Sequence, residues 1–137
     1  MSNDLRWKQR LENFEKAYSL LCDALKDGEE KLSDLEKEGV VQRFEYTFEL
    51  AWKTMRDFLL YGGTQLVQIT PRAVIKEAFK AGVIPDGQVW IDMLEHRNLM
   101  SHTYDKAVFA ETVRQIRARY ILAMGEMLSF FRRSSNS

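Results

Sequence analysis

The sequence predicts an all-α protein, a bundle of three long helices and two short ones. Apolar residues recur at spacings of three and four in the periodic segments, and no segment shows the alternation of a β-strand. Cap residues and glycines separate these segments where helices ordinarily begin and end. A chain of 137 residues is long enough for a buried core. We therefore expect one domain over residues 1–137, with a frayed tail at 134–137.

The first helix is predicted from near the start of the chain to the turn before Gly28. Asn3 or Asp4 can cap its beginning, and Gly28 can end it. Its apolar residues fall alternately four and three apart, which places them on one face. They are Trp7, Leu11, Phe14, Tyr18, Leu21 and Leu25.

The second helix opens at Ser33 and Glu36, which have the spacing of a capping box. Gly39 weakens its first turns, so a later start is also possible, and Gly62-Gly63 ends it. The short connection predicts an antiparallel hairpin with the first helix, and the wide apolar stripe predicts a central position in the bundle. The stripe comprises Val41, Phe44, Phe48, Ala51, Met55 and Phe58.

Three further segments complete the bundle. Thr70-Pro71 has the order of a cap followed by an N1 proline, and Gly82 ends this third helix. Asp86 can cap a fourth helix and Asp105 a last long one. The expected inward faces are Val74, Ile75, Ala78 and Phe79, then Val89, Trp90, Met93 and Leu94, and finally Val113, Ile116, Tyr120, Met124, Met127 and Phe131.

Composition limits the function classes. Twenty basic and twenty acidic residues give no net charge, which argues against coating nucleic acid by charge alone but allows a local basic cleft. The single cysteine, Cys22, excludes an internal disulfide and fits a reducing compartment. No leader and no apolar run of membrane-spanning length is present, so we expect a soluble, cytoplasmic protein without a membrane partner.

Two further expectations concern partners and metals. Trp52, Trp90 and several methionines exceed what one small bundle readily buries, which predicts a two-fold homodimer. The sequence contains no HExxH pattern, no cysteine pair and no second histidine at helical spacing from His102. Nothing in it therefore indicates a metal site. We therefore expect neither a metal nor a cofactor.

The stretch RNLMSHTYD, residues 97–105, concentrates polar side chains at one joint between helices. On an uninterrupted helix Arg97 and His102 would point about 140° apart. Turn-forming residues between them let one helix end near Asn98 or Met100 and the next begin at Asp105, so that Arg97 and His102 converge. A guanidinium, an imidazole and the free N–H groups of a helix start together suit a phosphate.

The alternative is structural. Polar side chains at a joint can cap helix ends and satisfy one another without any ligand, and such networks are commoner than active sites. His96 is interpreted as a bystander for the same reason. From the residues alone both interpretations of the joint stay open.

A family resemblance favours the functional interpretation. The joint resembles the R-x4-H-x-Y motif of HEPN-domain proteins, and more narrowly their nucleotidyltransferase substrate-binding subgroup. Two further blocks, residues 43–53 and 70–82, resemble the same subgroup and stand in the same order along the chain as the block at 90–105. The motif itself is formed by Arg97, His102 and Tyr104.

The resemblance implies a four-helix-type bundle with one added short helix. It also implies a homodimeric toxin of a toxin–antitoxin pair, a metal-independent ribonuclease neutralised by a minimal nucleotidyltransferase encoded nearby. Arg97 would hold the scissile phosphate of an RNA and His102 would move the proton. Asn98 and Ser101 would shape the turn and contact phosphate oxygens, and Tyr104 would be modified with nucleotide by the partner.

Two other functions use the same residues. The chain would be a non-catalytic subunit if the motif only binds the substrate that a separate nucleotidyltransferase modifies. A purely structural dimer module would leave the joint around Arg97 without solvent access. A GS-x10-D-x-D pattern in the neighbouring reading frame would identify the partner enzyme.

Overall fold

A computed structural model describes residues 3–135, with side chains from residue 5 onward. The described elements are α1 (Asn3–Leu25), a short 3₁₀ helix (Glu29–Lys31), α2 (Asp34–Tyr61), α3 (Pro71–Lys80), α4 (Gly87–Met100), α5 (Lys106–Gln115), a π-helical segment (Ile116–Tyr120) and α6 (Ile121–Ser135). The all-α class is therefore confirmed. The caps proposed for α1, Asn3 and Asp4, lie outside the residues whose side chains are described.

The first two long helices form the predicted antiparallel hairpin. Trp7 near the start of α1 meets Phe58 near the end of α2, with ring centres 5.0 Å apart. At the other end of the hairpin, Arg43 Nη1 donates to the carbonyl of Leu20 at 2.8 Å. The capping box is present, because Ser33 and Glu36 each accept from the other's backbone N–H. The helix begins there in spite of Gly39.

The core lies around α2, which contacts α1, α3, α4 and α5, as its wide stripe predicts. Nearly every residue of the predicted inward faces is buried or packed against the core. Phe79 is the exception, since it is 50% exposed at the end of α3.

The tryptophan and methionine side chains give no argument for a homodimer. Trp52 and Trp90 are buried within the single chain, and so are the methionines at 55, 93, 100, 124 and 127. The inference from their number was wrong, because one bundle of this size covers all of these side chains. A homodimer therefore needs support from elsewhere.

The last helix runs from α5 through the π-helical segment into α6. Backbone angles at Ile116 and Ile121 stay helical, so the segment widens the helix without breaking it. The helix continues to Ser135, so the fraying predicted from residue 134 does not begin there; residues 136 and 137 lie outside the described part. No helix within the described residues is long and apolar enough to cross a membrane.

Candidate phosphate site

The joint at residues 97–105 has the predicted break. Helix α4 ends at Met100, and Ser101 Oγ donates to the carbonyl of Asn98 at 2.8 Å, which tightens the turn. Asp105 caps α5, since its Oδ1 accepts from the N–H groups of Ala107 and Val108 at 2.7 and 3.4 Å. These two N–H groups are therefore already occupied. The helix start offers a phosphate fewer free donors than the sequence suggested.

Arg97 lies in the last turn of α4 and extends toward α2. Its Nη1 donates to Glu49 Oε1 at 3.0 Å, and its Cζ lies 5.7 Å from the centre of the Phe48 ring. The Nε atom is buried and has no hydrogen-bond partner among the described residues. The side chain as a whole is 26% exposed. The guanidinium is thus held in one orientation, and the exposed part of the side chain, not the buried Nε, is where an oxyanion can bind.

Two carboxylates of α2 control the charge around Arg97. Glu49 Oε2 accepts from the indole Nε1 of Trp52 at 2.7 Å, so this carboxylate is held by two partners. Burial raises the pKa of Glu45, against the opposing effect of the positive charge on Arg97. Sequence reasoning missed both residues because apolar periodicity identifies only buried faces. The one signal in the sequence is that both carboxylates lie in the block at residues 43–53, which carries part of the family resemblance.

The other half of the motif lies in solvent. His102 is exposed, and within the described part of the chain its side chain forms no hydrogen bond or ion pair; its backbone N–H donates to the carbonyl of Leu99 at 3.1 Å. Tyr104 is 91% exposed. No hydrogen bond joins Arg97 to His102 within the described residues. The structure thus gives one motif residue a fixed position and leaves the other two accessible.

His96 belongs to a different feature, a cleft of 390 Å³ between α4 and the last helix. Its Nδ1 shares a hydrogen bond with the hydroxyl of Tyr120, and burial raises the pKa of Tyr120 to about 12. On the same cleft, a hydrogen bond from Arg119 lowers the pKa of Asp92. The lining includes neither Arg97 nor His102. Across the described residues, no group of three or more His, Cys, Asp or Glu side chains is arranged to hold a metal ion.

The arrangement at the joint combines a fixed cation with an exposed imidazole. A guanidinium binds a phosphate through charge-assisted hydrogen bonds, and an imidazole gives or takes a proton near neutral pH. Neither phosphate binding nor proton transfer requires the cleft at His96 or a buried pocket. The joint therefore stays a candidate site for phosphate chemistry.

Comparison with known proteins relates the chain to one family. The family model described as nucleotidyltransferase substrate binding protein like matches residues 9–133. A curated relative, Probable ribonuclease HepT of Haemophilus influenzae, is 32% identical over 80 residues, which make up 53% of this chain and 55% of that protein. The chain thus spans about half the length of the curated relative it matches.

Two solved structures share the helical bundle. A protein of Thermus thermophilus is 30% identical with a TM-score of 0.75, over 85% of this chain and 96% of that chain. A Haemophilus influenzae protein is 21% identical with a TM-score of 0.62, over 96% of this chain and 99% of that chain. It is described as revealing the fold of a substrate binding domain of a nucleotidyltransferase. At this identity the second likeness shows the fold alone.

Proposed function

The chain belongs to the nucleotidyltransferase substrate binding protein like family, and we propose that it is a HEPN-type toxin, a metal-independent ribonuclease of the cytoplasm. The observation that carries the proposal is Arg97, fixed by Glu49 and 26% exposed, beside a turn that exposes His102. The relative named a probable ribonuclease adds support, since its similarity extends over half of this chain.

In this proposal Arg97 binds the scissile phosphate of an RNA and neutralises the charge that grows on it. The 2′-oxygen of the preceding ribose attacks the phosphorus while the bond to the 5′-oxygen breaks. His102 either takes the proton from the 2′-hydroxyl or gives one to the departing 5′-oxygen. Ser101 holds the turn through its bond to the carbonyl of Asn98, and in this proposal both side chains contact oxygens of the bound phosphate.

A homodimer completes the proposed site. In one chain Arg97 is directed toward α2 while His102 is in solvent, without a contact between them. A two-fold axis near the joint brings two copies of each residue to a shared groove. Apolar side chains on the surface of α2 support such an interface, since Tyr46 is 40% and Leu60 38% exposed.

Replacement of the two motif residues tests the reaction. Arg97→Ala and His102→Ala should each reduce the RNA cleavage rate about 100- to 10,000-fold, as expected for loss of a catalytic acid, base or charge stabiliser. Arg114→Ala, an exposed arginine of α5, is the matched control and should retain the rate. EDTA should leave the wild-type rate unchanged, because no step uses a metal.

Two results would contradict the proposal: a wild-type protein that cleaves no RNA, or motif variants that cleave at the control rate. In the same assay, an equal mixture of the two inactive variants tests the dimer. If Arg97 of one protomer acts with His102 of the other, the mixed dimers contain one intact site and the mixture regains about a quarter of the wild-type rate.

Regulation by a partner nucleotidyltransferase, encoded nearby, is the second part of the proposal. Tyr104 is 91% exposed on the turn that also carries His102, so an enzyme can reach its hydroxyl. A nucleotide attached there would bring negative charge to the site and compete with RNA for Arg97. The matched variant for this site is Tyr104→Phe, which removes only the hydroxyl.

Co-expression with the adjacent nucleotidyltransferase followed by intact-mass measurement tests this modification. The wild type should gain the mass of one or more nucleotides, and Tyr104→Phe should gain none. An unchanged wild-type mass, or an equal adduct on Tyr104→Phe, would refute it. The alternative function, a non-catalytic substrate-binding subunit, uses the same residues and is supported by the family description, and absence of any cleavage would select it.

A further inference from the structure

A second group of arginines is arranged around a buried carboxylate, away from the joint. Asp57 on α2 is 4% exposed and lies against α1. Its Oδ2 accepts from Arg10 Nε at 2.5 Å, and its Oδ1 accepts from Arg56 Nε at 3.0 Å. Each guanidinium is thus oriented through its Nε. Their terminal Nη groups have no hydrogen-bond partner among the described residues.

The surface next to this pair is rich in donors and poor in carboxylates. A depression of 370 Å³ is lined by four residues of one face of α1, namely Arg6, Gln9, Arg10 and Asn13. Arg6 is exposed and forms no ion pair within the described residues. Lys53 is half-buried and lies one turn before Asp57 on α2. It also forms no ion pair within the described residues. Arg10 and Arg56 thus hold one buried carboxylate, and Arg6 and Lys53 are further cations on the same two helices.

A structural role accounts for only part of this arrangement. One arginine is enough to compensate Asp57, and buried ion pairs contribute little net stability. A second guanidinium held at Nε, with its outer edge free, is instead the geometry that binds a phosphate through parallel N–H donors. Arg56 is further fixed by the Trp52 ring, which lies 5.5 Å from its Cζ.

The same residues connect this group to Arg97. Trp52 Nε1 donates to Glu49, which in turn accepts from Arg97. Along α2, Arg56 lies two turns beyond Glu49, a distance of about 10 Å. This separation is too long for two contacts to the same phosphate and suits two different phosphates of one strand.

We propose that Arg6, Arg10 and Arg56 form a second phosphate-binding site, which holds the backbone of a single-stranded RNA at a position flanking the one bound by Arg97. The inference rests on the proposed function for its choice of RNA as the ligand. The arginines of this site position the strand and take no part in bond cleavage.

Binding of an uncleavable RNA tests the site separately from the reaction. The probe is a fluorescein-labelled, fully 2′-O-methylated oligonucleotide of about twelve residues, and affinity is measured by anisotropy over a range of salt concentrations. Arg6→Gln should weaken binding several-fold and reduce the slope of log affinity against log salt by about 0.7, the value for one contact to a single strand. Arg56→Gln should act in the same direction. Lys26→Gln, a similarly exposed cation at the far end of α1, is the matched control.

The outcomes separate this inference from the proposed function. If Arg6→Gln and Arg56→Gln bind the RNA as the control does, or if the wild type binds none, the second site is refuted, whatever the cleavage assay shows for Arg97 and His102. Inorganic phosphate and ATP are tested as competitors. If either occupies the site while the arginine variants retain RNA affinity, the bound phosphate belongs to a nucleotide and the RNA assignment is refuted.

Discussion

The two sides of the joint at residues 97–105 differ in how strongly the fold holds them. Arg97, on the α4 side, contacts Glu49 and the ring of Phe48, and one of its nitrogen atoms is buried. His102 and Tyr104, on the turn beyond the end of α4, are exposed and have no such contacts within the described residues. One short motif therefore contains both a fixed and a free part.

Under the proposed function, this difference assigns separate roles to the two sides of the joint. A cation that binds phosphate gains from a fixed position, because its orientation is then set before the ligand arrives. A residue that must reach a second protomer or a modifying enzyme gains from exposure. The fold fixes Arg97 through contacts with α2. It exposes His102 and Tyr104 on a turn of five residues between α4 and α5.

The largest effect is expected on the fixed side, from Phe48→Ala. Phe48 is fully buried, with its ring 6.2 Å from that of Trp90, so truncation should lower the free energy of unfolding by about 3–5 kcal/mol. Urea denaturation measures the loss. His102→Ala is the contrasting variant on the free side and should stay within about 0.5 kcal/mol of the wild type. Equal losses in the two variants would remove the distinction between the two sides.

A middle-sized effect is expected where the free turn ends. Asp105 Oδ1 accepts from two N–H groups at the start of α5, so Asp105→Ala should cost about 1 kcal/mol in the free energy of unfolding. Asp105→Asn preserves an oxygen at the cap and should cost much less. If both variants unfold like the wild type, the turn is not anchored by this cap and the free side extends further than the structure indicates.

The smallest effect concerns the environment of Arg97 and depends on pH. Burial raises the pKa of Glu45 in the folded chain, so the folded state binds its proton more tightly than the unfolded chain does. Stability from this group is complete below the unfolded pKa of about 4.3 and is lost as pH rises above it. Relative to the wild type, Glu45→Gln should therefore gain stability as pH increases from about 4 toward neutrality.

Glu36 provides the control of opposite sign. Hydrogen bonds from Ser33 lower the pKa of its carboxyl, so the wild type should lose stability relative to Glu36→Gln as the solution is acidified through that lowered pKa. Urea denaturation at several pH values measures both trends. If Glu45→Gln and Glu36→Gln show the same trend, Glu45 does not lie in the desolvated environment that the contacts of Arg97 indicate.

Features that depend on near neighbours in the chain were predictable. Ser33 and Glu36, Thr70 and Pro71, and Asp105 begin helices because their side chains, or the fixed ring of the proline, act within one turn of the backbone. The break after Met100 follows from the same local chemistry. These features need no knowledge of the bundle.

Features that depend on distant parts of the chain were not predictable from the sequence. Arg97 and Glu49 are 48 residues apart, and periodicity says nothing about which polar faces meet. The same holds for Arg10 and Asp57, which are 47 residues apart. Phe79 has the spacing of a core residue but is half exposed beside Gly87 at the start of α4, and spacing does not show where a neighbouring helix begins.

The π-helical segment at Ile116–Tyr120 has a consequence for how this chain tolerates changes in length. A turn of this kind contains one residue more than an α-helical turn, so loss of a residue there leaves an ordinary helix whose flanking surfaces keep their directions. The part before it packs on α2 and the part after it on α1. In α2, by contrast, a deletion before Asp57 would rotate everything beyond it by about 100° and separate Asp57 from Arg10 of α1. The last helix is thus the long helix of the described bundle in which a one-residue deletion costs least.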